Sequence, residues 1–341
     1  MKNFRFPKIQ LVIILLIMLV PFFFSCNSSS KTKIGLLIPA GEGSRWPVDQ
    51  SYVEKAAKEK GIEVVTRIAN NDENLQLKQA TELLELGVDV LIVVAANGNT
   101  AAAIVRNAHD YDVPVIGYDR LIKNSDLDYL VTFEGAQIGS LMIDYALQHK
   151  PEGNYILLWG DPGDVNAIFI KDAQEKLLKP SIDNGKINIV YKTFVEDWSS
   201  ENAYHITKNV LSLTSKKVDA IITSYDGLAM GARKAMEELN YEGDVILTGQ
   251  DAEIDAIKAV KNEKMSLTVY KSIKQIAGAS VDLAENLAKN KKITNATGKI
   301  NNGRKDVPTI LLKPVAVTKD NIRETVIADG FYTEQQVYGS K

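Results

Sequence analysis

Cysteine and histidine are nearly absent from this 341-residue chain, which has one cysteine (Cys26) and three histidines (His109, His149, His205). One cysteine permits no intramolecular disulfide, and so few soft ligands exclude a disulfide-built or zinc-built scaffold. A strong charge of either sign is also missing: 40 Lys and Arg face 43 Asp and Glu, a net −3. Without its first 25 residues, which carry Lys2, Arg5 and Lys8 and no acid, the chain has 37 bases against 43 acids, a net −6. An acidic body of this kind argues against binding nucleic acid through a general electrostatic field. Enzyme signatures are missing too, with no Walker loop, no Gly-x-Ser-x-Gly elbow and no His-Glu-x-x-His. Gly41-Glu-Gly43-Ser-Arg-Trp46 opens like a dinucleotide fingerprint, but Trp46 stands where its third glycine belongs. The chain is therefore expected to be no enzyme and to use no cofactor and no metal. What is present is ordinary globular material, 45% apolar and 24% charged, long enough for about two domains.

No long hydrophobic run appears either. Leu11 to Phe24 is apolar apart from Pro21, and at 14 residues it falls short of the roughly 20 that a spanning helix needs. Behind the basic Met1 to Lys8 it has the layout of an export signal. Ser25-Cys26 closes the run in the manner of a bacterial lipoprotein cleavage site, although Phe24 occupies a position that is usually small. Residues 1–25 are read as a lipoprotein signal peptide, Cys26 as the lipidated first residue, and 26–32 as a polar tether. A plain secretory signal is the alternative, and both readings export the protein to the periplasm or cell surface.

From Lys33 onward, short apolar runs alternate with amphipathic ones. Strands are expected at 33–39, 62–68, 88–95 and 113–118, with helices over 48–60, 74–86 and 100–110 between them. The rhythm restarts after Phe133, with helices at 138–149, 166–178, 201–213 and 228–239 and strands at 154–159, 187–195, 218–223 and 245–248. Such alternation implies parallel sheets with helical crossovers. The halves echo each other. Gly87-Val-Asp-Val-Leu-Ile-Val93 resembles Lys217-Val-Asp-Ala-Ile-Ile-Thr223, and Asp119 and Asp251 end matching strands 132 residues apart. Two similar α/β lobes follow from this, with Asp89 and Asp219 in structural roles at strand starts.

Ligands of open parallel sheets collect beyond the carboxyl ends of the strands. The residues there and nearby include Arg45, Trp46, Asp119, Arg120, Asn166, Lys171, Trp198, Tyr225, Asp226, Asp251 and Lys271. Carboxylates that accept and cations that donate suit the hydroxyls of a sugar, and indoles suit its apolar faces. Taken singly, an aspartate after a strand is more often a helix cap than a ligand contact. The convergence of these residues at matching strand ends carries the reading.

The sequence at this point resembles the type I periplasmic sugar-binding proteins of ABC importers, most of all their xylose-binding branch. The carriers run from about Lys33 to Ala316: Arg45-Trp46, Tyr118-Asp119-Arg120, Asn166-Ala167, Asp197-Trp198, Glu201-Asn202-Ala203, Gly249-Gln-Asp-Ala252 and Thr268-Val-Tyr-Lys271. The resemblance implies two Rossmann-like lobes, each a parallel sheet flanked by helices, joined by three hinge crossovers near Thr132, Tyr270 to Ser272, and Pro308-Thr309. The amino-terminal lobe would be 33–132 with 273–307, the carboxy-terminal lobe 133–272 with 308–317, and 318–341 a tail with a short helix over 320–327. It further implies that Arg45, Asp119, Arg120, Asn166, Asp251 and Lys271 hydrogen-bond a sugar while Trp46 and Trp198 sandwich its ring. Two departures bear on which sugar: Tyr225-Asp226 stands where the family has Asn-Asp, and Lys171 where it has arginine. The implied function is capture of a small neutral monosaccharide, xylose or a similar aldose, by a monomer that closes on it and docks on an ABC permease. The alternative partner is a membrane receptor kinase. A transcription regulator and a sugar-cleaving enzyme are weaker readings.

Overall fold

The computed structural model describes residues 31–40, 45–241 and 243–339. The expected signal peptide, Cys26 and nearly all of the tether lie outside those residues.

The first sheet is built from β1 (Lys33–Ile38), β2 (Glu63–Ile68), β3 (Val90–Val93), β4 (Val115–Tyr118), β5 (Tyr129–Phe133), β11 (Gly298–Asn301) and β12 (Asp306–Leu312), in the order β11-β12-β5-β4-β3-β1-β2. Helices α1 (Trp46–Glu59), α2 (Glu73–Glu85), α3 (Ala102–Asp110) and α9 (Ile273–Ala288) belong to it. The second sheet holds β6 (Gly153–Trp159), β7 (Ile187–Phe194), β8 (Ala220–Thr223), β9 (Ile246–Gln250), β10 (Leu267–Tyr270) and β13 (Val315–Val317), ordered β13-β10-β9-β8-β6-β7. Helices α4 (Gly135–His149), α5 (Val165–Asp183), α6 (Ser200–Leu213), α7 (Asp226–Glu238) and α8 (Ile254–Lys261) accompany it. All neighbouring strands pair in parallel except β11 with β12 and β10 with β13. β3 and β8 are buried at every position, because helices cover both faces of a parallel sheet. That burial is why they read as unbroken apolar runs rather than alternating ones.

The echo between the halves has a physical basis. Asp89, just before β3, accepts a hydrogen bond from the Lys33 amide at 2.7 Å and donates its own amide to the Lys33 carbonyl. Asp219, just before β8, does the same with Asn154, its carboxylate 2.9 Å from the Asn154 amide. In each lobe one aspartate pins the start of the central strand to the strand beside it.

The chain passes between the sheets after β5, between β10 and α9, and between β12 and β13. The third passage differs from expectation. Thr309 to Leu312 pair with Leu130 to Phe133, so the first sheet keeps residues up to Leu312 and the crossing comes at Lys313-Pro314 instead of Pro308-Thr309. The strand follows its parallel neighbour β5 to the end before leaving the sheet. Helix α5 also outruns its expected end at Leu178, continuing to Asp183. Pro180 falls in its last turn, where a missing amide costs one hydrogen bond and leaves the rest of the helix intact. The tail past Val317 packs on the second lobe, burying Ile322, Val326 and Val337 in that lobe's core. Its helix is a short π-type turn, Arg323–Ile327, followed by α10 (Glu334–Tyr338).

Candidate functional site

A cavity of about 310 Å³ opens between the carboxyl ends of the two sheets. It is organised around an ionic net that begins with Arg45, immediately before α1. The Arg45 Nε and Nη2 atoms donate to the two carboxylate oxygens of Asp49 at 3.1 and 3.0 Å, a planar fork that fixes the guanidinium. The Tyr118 hydroxyl donates to the same carboxylate at 2.7 Å. So held, Arg45 Nη1 lies 3.1 Å from Asp251 Oδ1 and 3.8 Å from Asp119 Oδ2. The Lys271 ammonium completes the net, 3.1 Å from Asp251 Oδ1 and 3.6 Å from Asp119 Oδ1. Asp119 and Lys271 are 4% and 5% exposed, so these charges act on one another with little screening.

The titration of these groups follows from their crowding. Burial works against the Arg45 charge, but Asp49, Asp119 and Asp251 outweigh it and hold the guanidinium well above its usual range. Burial likewise opposes the Asp119 charge, and Lys271, Arg45 and Arg120 overcome it, leaving the carboxyl below the usual range. Asp119 and Asp251 occupy equivalent turns: both have left-handed backbone (φ 61° and 94°), and both donate their amides back to a neighbouring strand, at Val131 and Val269. Aspartate is one of the few non-glycine residues that tolerates this region.

Trp46 is 7% exposed, with the guanidinium carbons of Arg45 and Arg120 at 4.7 and 5.2 Å from its ring centre. Arg120 also donates to the Ala95 carbonyl at 3.1 Å and lies 3.5 Å from Asp164 across the cleft. Burial pushes the Asp164 carboxyl up, with Arg120 opposing. Asn166, in the first turn of α5, donates to the Asp119 carbonyl at 3.2 Å, a second link between the lobes. Trp198 ends a single turn of 3₁₀ helix, Glu196–Trp198, in which Asp197 and Trp198 both have left-handed backbone (φ 57° and 52°). The Asp197 amide donates to Asp161 at 2.7 Å, and the Trp198 ring lies against Gly160. Tyr225 meets the Trp198 ring edge-on at 6.1 Å and 89°. Its hydroxyl donates to Glu253 at 2.5 Å, so the phenol is committed to a protein partner and its ring serves as wall.

Nine of the eleven residues proposed from the sequence line this cavity: Arg45, Trp46, Asp119, Arg120, Asn166, Trp198, Tyr225, Asp251 and Lys271. Two do not. Lys171 ion-pairs with Asp172 and Glu175 at 2.7 and 2.9 Å along the flank of α5, which draws it away from the cleft. Asp226 is fully buried beneath the site and accepts the Glu253 amide at 2.8 Å, so it anchors the Asp251–Glu253 turn from below. Asp49 was missed. An acid four residues after Arg45, at the start of a helix opened by Pro47, was the available signal. Ala40, Asn71, Asp164, Asp197 and Gln250 also line the cavity. Asp197 and Gln250 stood among the residues that carry the resemblance but were not proposed as ligand contacts. Among the described residues, no group of three or more His, Cys, Asp or Glu could hold a metal.

Arg45 and Lys271 are met by Asp49, Asp119 and Asp251, and Arg120 by Asp164. A site whose cations each already face a carboxylate offers paired donors and acceptors, which suits a neutral polyhydroxylated ligand better than an ion.

Residues 34–292 match the periplasmic binding protein domain family. The chain is 38% identical over 331 residues to the D-xylose-binding periplasmic protein of Haemophilus influenzae, covering 97% of this chain and 99% of that one. The chain belongs to the type I periplasmic sugar-binding proteins. A second member of this family, the D-xylose-binding periplasmic protein of Escherichia coli, is 36% identical over 91% of this chain and 93% of its own. Among solved structures, an ABC transporter solute-binding protein from Clostridium phytofermentans with bound β-D-glucose superposes with a TM-score of 0.84 at 30% identity, over 90% of this chain and 100% of that one. These relatives of the sugar-binding protein described here are solute-binding proteins, and it is one as well, not an enzyme.

Proposed function

We propose that the protein is an exported lipoprotein that captures a small neutral aldose, D-xylose first, by hinge closure and delivers it to an ABC permease. One observation carries the reading: Arg45 and Trp46 from one lobe and Asp251 and Trp198 from the other line a single cavity whose cations each already face a carboxylate. The three passages between the sheets serve as the hinge, and closure brings both rims onto the sugar. Contacts made only in the closed form shift the population toward it. The names of the relatives support xylose as the first ligand to try, while Tyr225 supports a tight pocket. Lipidation of Cys26 is a further part of this proposal, checked by mass spectrometry of the mature amino terminus. A terminus that starts elsewhere, or is unmodified, refutes it.

Calorimetric titration with pentoses and hexoses, with tryptophan fluorescence alongside, tests the reading. We expect one small neutral sugar to bind with a Kd of about 1 μM or tighter, equivalent to about −8 kcal/mol. Trp46→Ala and Asp119→Ala each lose roughly 3 kcal/mol or more, over a hundredfold, since one removes a buried indole and the other leaves Arg45 and Lys271 short of a counter-charge. Binding by both variants equal to that of the parent refutes the site.

A further inference from the structure

The tail beyond β13 lies past the residues that match the family domain, 34–292, and has been given no role so far. Its described part, Thr318 to Gly339, is fastened to the second lobe at both ends. Ile322, Val326 and Val337 are buried in that lobe's core, and the Lys261 ammonium donates to the Val337 carbonyl at 3.2 Å. Between these anchors the chain carries Asp329 to the second passage between the lobes. Asp329 Oδ2 accepts hydrogen bonds from the Tyr270 hydroxyl and the Ser272 hydroxyl, both at 2.6 Å. Lys274, itself exposed, approaches the other oxygen of the half-buried Asp329 at 3.7 Å. Ser272 at the same time caps α9, accepting from the Gln275 amide. One carboxylate oxygen thus grips residues 270 and 272.

The residue between them is Lys271. In extended chain, successive side chains point to opposite sides, so a clamp on 270 and 272 fixes where 271 points. Lys271 points into the ionic net, between Asp119 and Asp251. The tail also closes the back of that net. Phe331 and Tyr332 join Arg45, Asp251 and Lys271 around a second cavity of about 270 Å³ directly behind it, and the Phe331 ring packs at 5.3 Å from that of Tyr270.

We propose that the tail is part of the sugar-binding machinery, with Asp329 as a positioning residue that, by holding Tyr270 and Ser272, sets the Lys271 ammonium between Asp119 and Asp251. The inference rests on the functional reading above and deepens it. A free lysine side chain samples many rotamers, and its ammonium is a point charge on a flexible stem. Holding its backbone from behind removes part of the ordering cost that sugar binding would otherwise carry.

The test is titration of D-xylose, or of whichever panel sugar the parent binds most tightly, into the full mature chain. Asp329→Ala is expected to weaken binding about tenfold. Asp329→Asn, whose amide oxygen can still accept from both hydroxyls, restores most of the affinity, and Lys274→Ala leaves it unchanged. In a Lys271→Met background, titrated at high sugar concentration, Asp329→Ala has no further effect on affinity, because its action runs through the lysine. A loss that is merely structural would persist there. Should Asp329→Ala not fold, Ser272→Ala together with Asp329→Asn carries the same comparison, with Ser272→Ala weakened and Asp329→Asn close to the parent. Parent-like affinity in Asp329→Ala, or an undiminished loss in the Lys271→Met background, overturns the inference while the functional reading stands. A parent chain that binds no sugar overturns both.

Discussion

Gly160 directly follows β6, and a methyl group there would overlap three carbons of the Trp198 ring. Carbon atoms in ordinary contact stand about 3.5–4.0 Å apart, so in Gly160→Ala the indole must retreat by roughly 1.5 Å. Its backbone cannot follow freely. Asp197 and Trp198 are both left-handed, and the turn is tied to Asp161 through the Asp197 amide. The movement therefore appears as a swing of the ring, away from Gly160 and out of register with both Tyr225 and the cavity. An aromatic contact is worth about 0.5–1.5 kcal/mol beyond its buried area, and the displaced ring also surrenders part of that area. A loss of about 1–2 kcal/mol follows, roughly five- to thirtyfold in Kd. Sugar titration by calorimetry measures it, and the intrinsic tryptophan emission of the unliganded variant should shift to the red as the indole gains water. Thermal stability should change little, since the ring is half-exposed already. Parent-like affinity together with parent-like emission would show that the methyl is absorbed elsewhere and that the Gly160–Trp198 contact does not set the wall of the site.

Other perturbations separate scaffold from site. Asp226 is buried with one oxygen lacking a hydrogen-bond partner, and burial holds its carboxyl well above the usual range. A raised value means that its contribution to stability is complete below the ordinary carboxylate pKa of about 4 and is lost as pH rises through the raised value. Asp226→Asn should therefore lose less Tm than the parent between pH 5 and pH 8, and an identical decline by calorimetry would contradict this. Asp219→Ala should cost about 1–3 kcal/mol in urea unfolding by stranding the Asn154 amide, with Asp89→Ala costing less because Asp89 is exposed. Neither should alter sugar affinity, and a loss of binding in either would mean that the two clamps reach the cleft.

The alternation of elements was legible because the central strands are buried on both faces and so spell unbroken apolar runs. β5 and β10 to β13 were not read as strands, and for β5, β11 and β13 the reason is physical. β5 is the last strand before a passage and overlaps the place where the rhythm resets. β11 and β13 are three or four residues long and pair antiparallel at the sheet edges, too short for an apolar run or an alternation to show. The cavity was legible to the extent that function sits at strand ends. Asp226 satisfied the same positional rule and failed it in space: as the first residue of α7 it lies under the turn it stabilises. Lys171 stands inside α5, past the strand end, and turns toward Asp172 and Glu175. Asp49 could not be found by that rule, since it sits inside a helix and acts on the site only by gripping Arg45.

The ionic net explains how one arrangement can both join the lobes and receive a ligand. Arg45 from the first lobe reaches Asp251 of the second, Arg120 reaches Asp164, and Asn166 of the second reaches the Asp119 carbonyl of the first. Each of these groups also lines the cavity. A sugar hydroxyl that inserts between an arginine and a carboxylate both accepts and donates, so it extends such a bridge without breaking it. The charges behind the first contacts, Asp49 for Arg45 and Asp119 for Lys271, hold their partners in place while that exchange occurs. An anionic ligand would have to displace carboxylates already paired with Arg45, Arg120 and Lys271, and a wholly apolar one would strand them. Selectivity for a neutral polyol is thus a consequence of how the charged groups of the two rims satisfy each other. The width of the pocket, set by Trp198 against Gly160 and by Tyr225 against Glu253, is left to choose among sugars of that class.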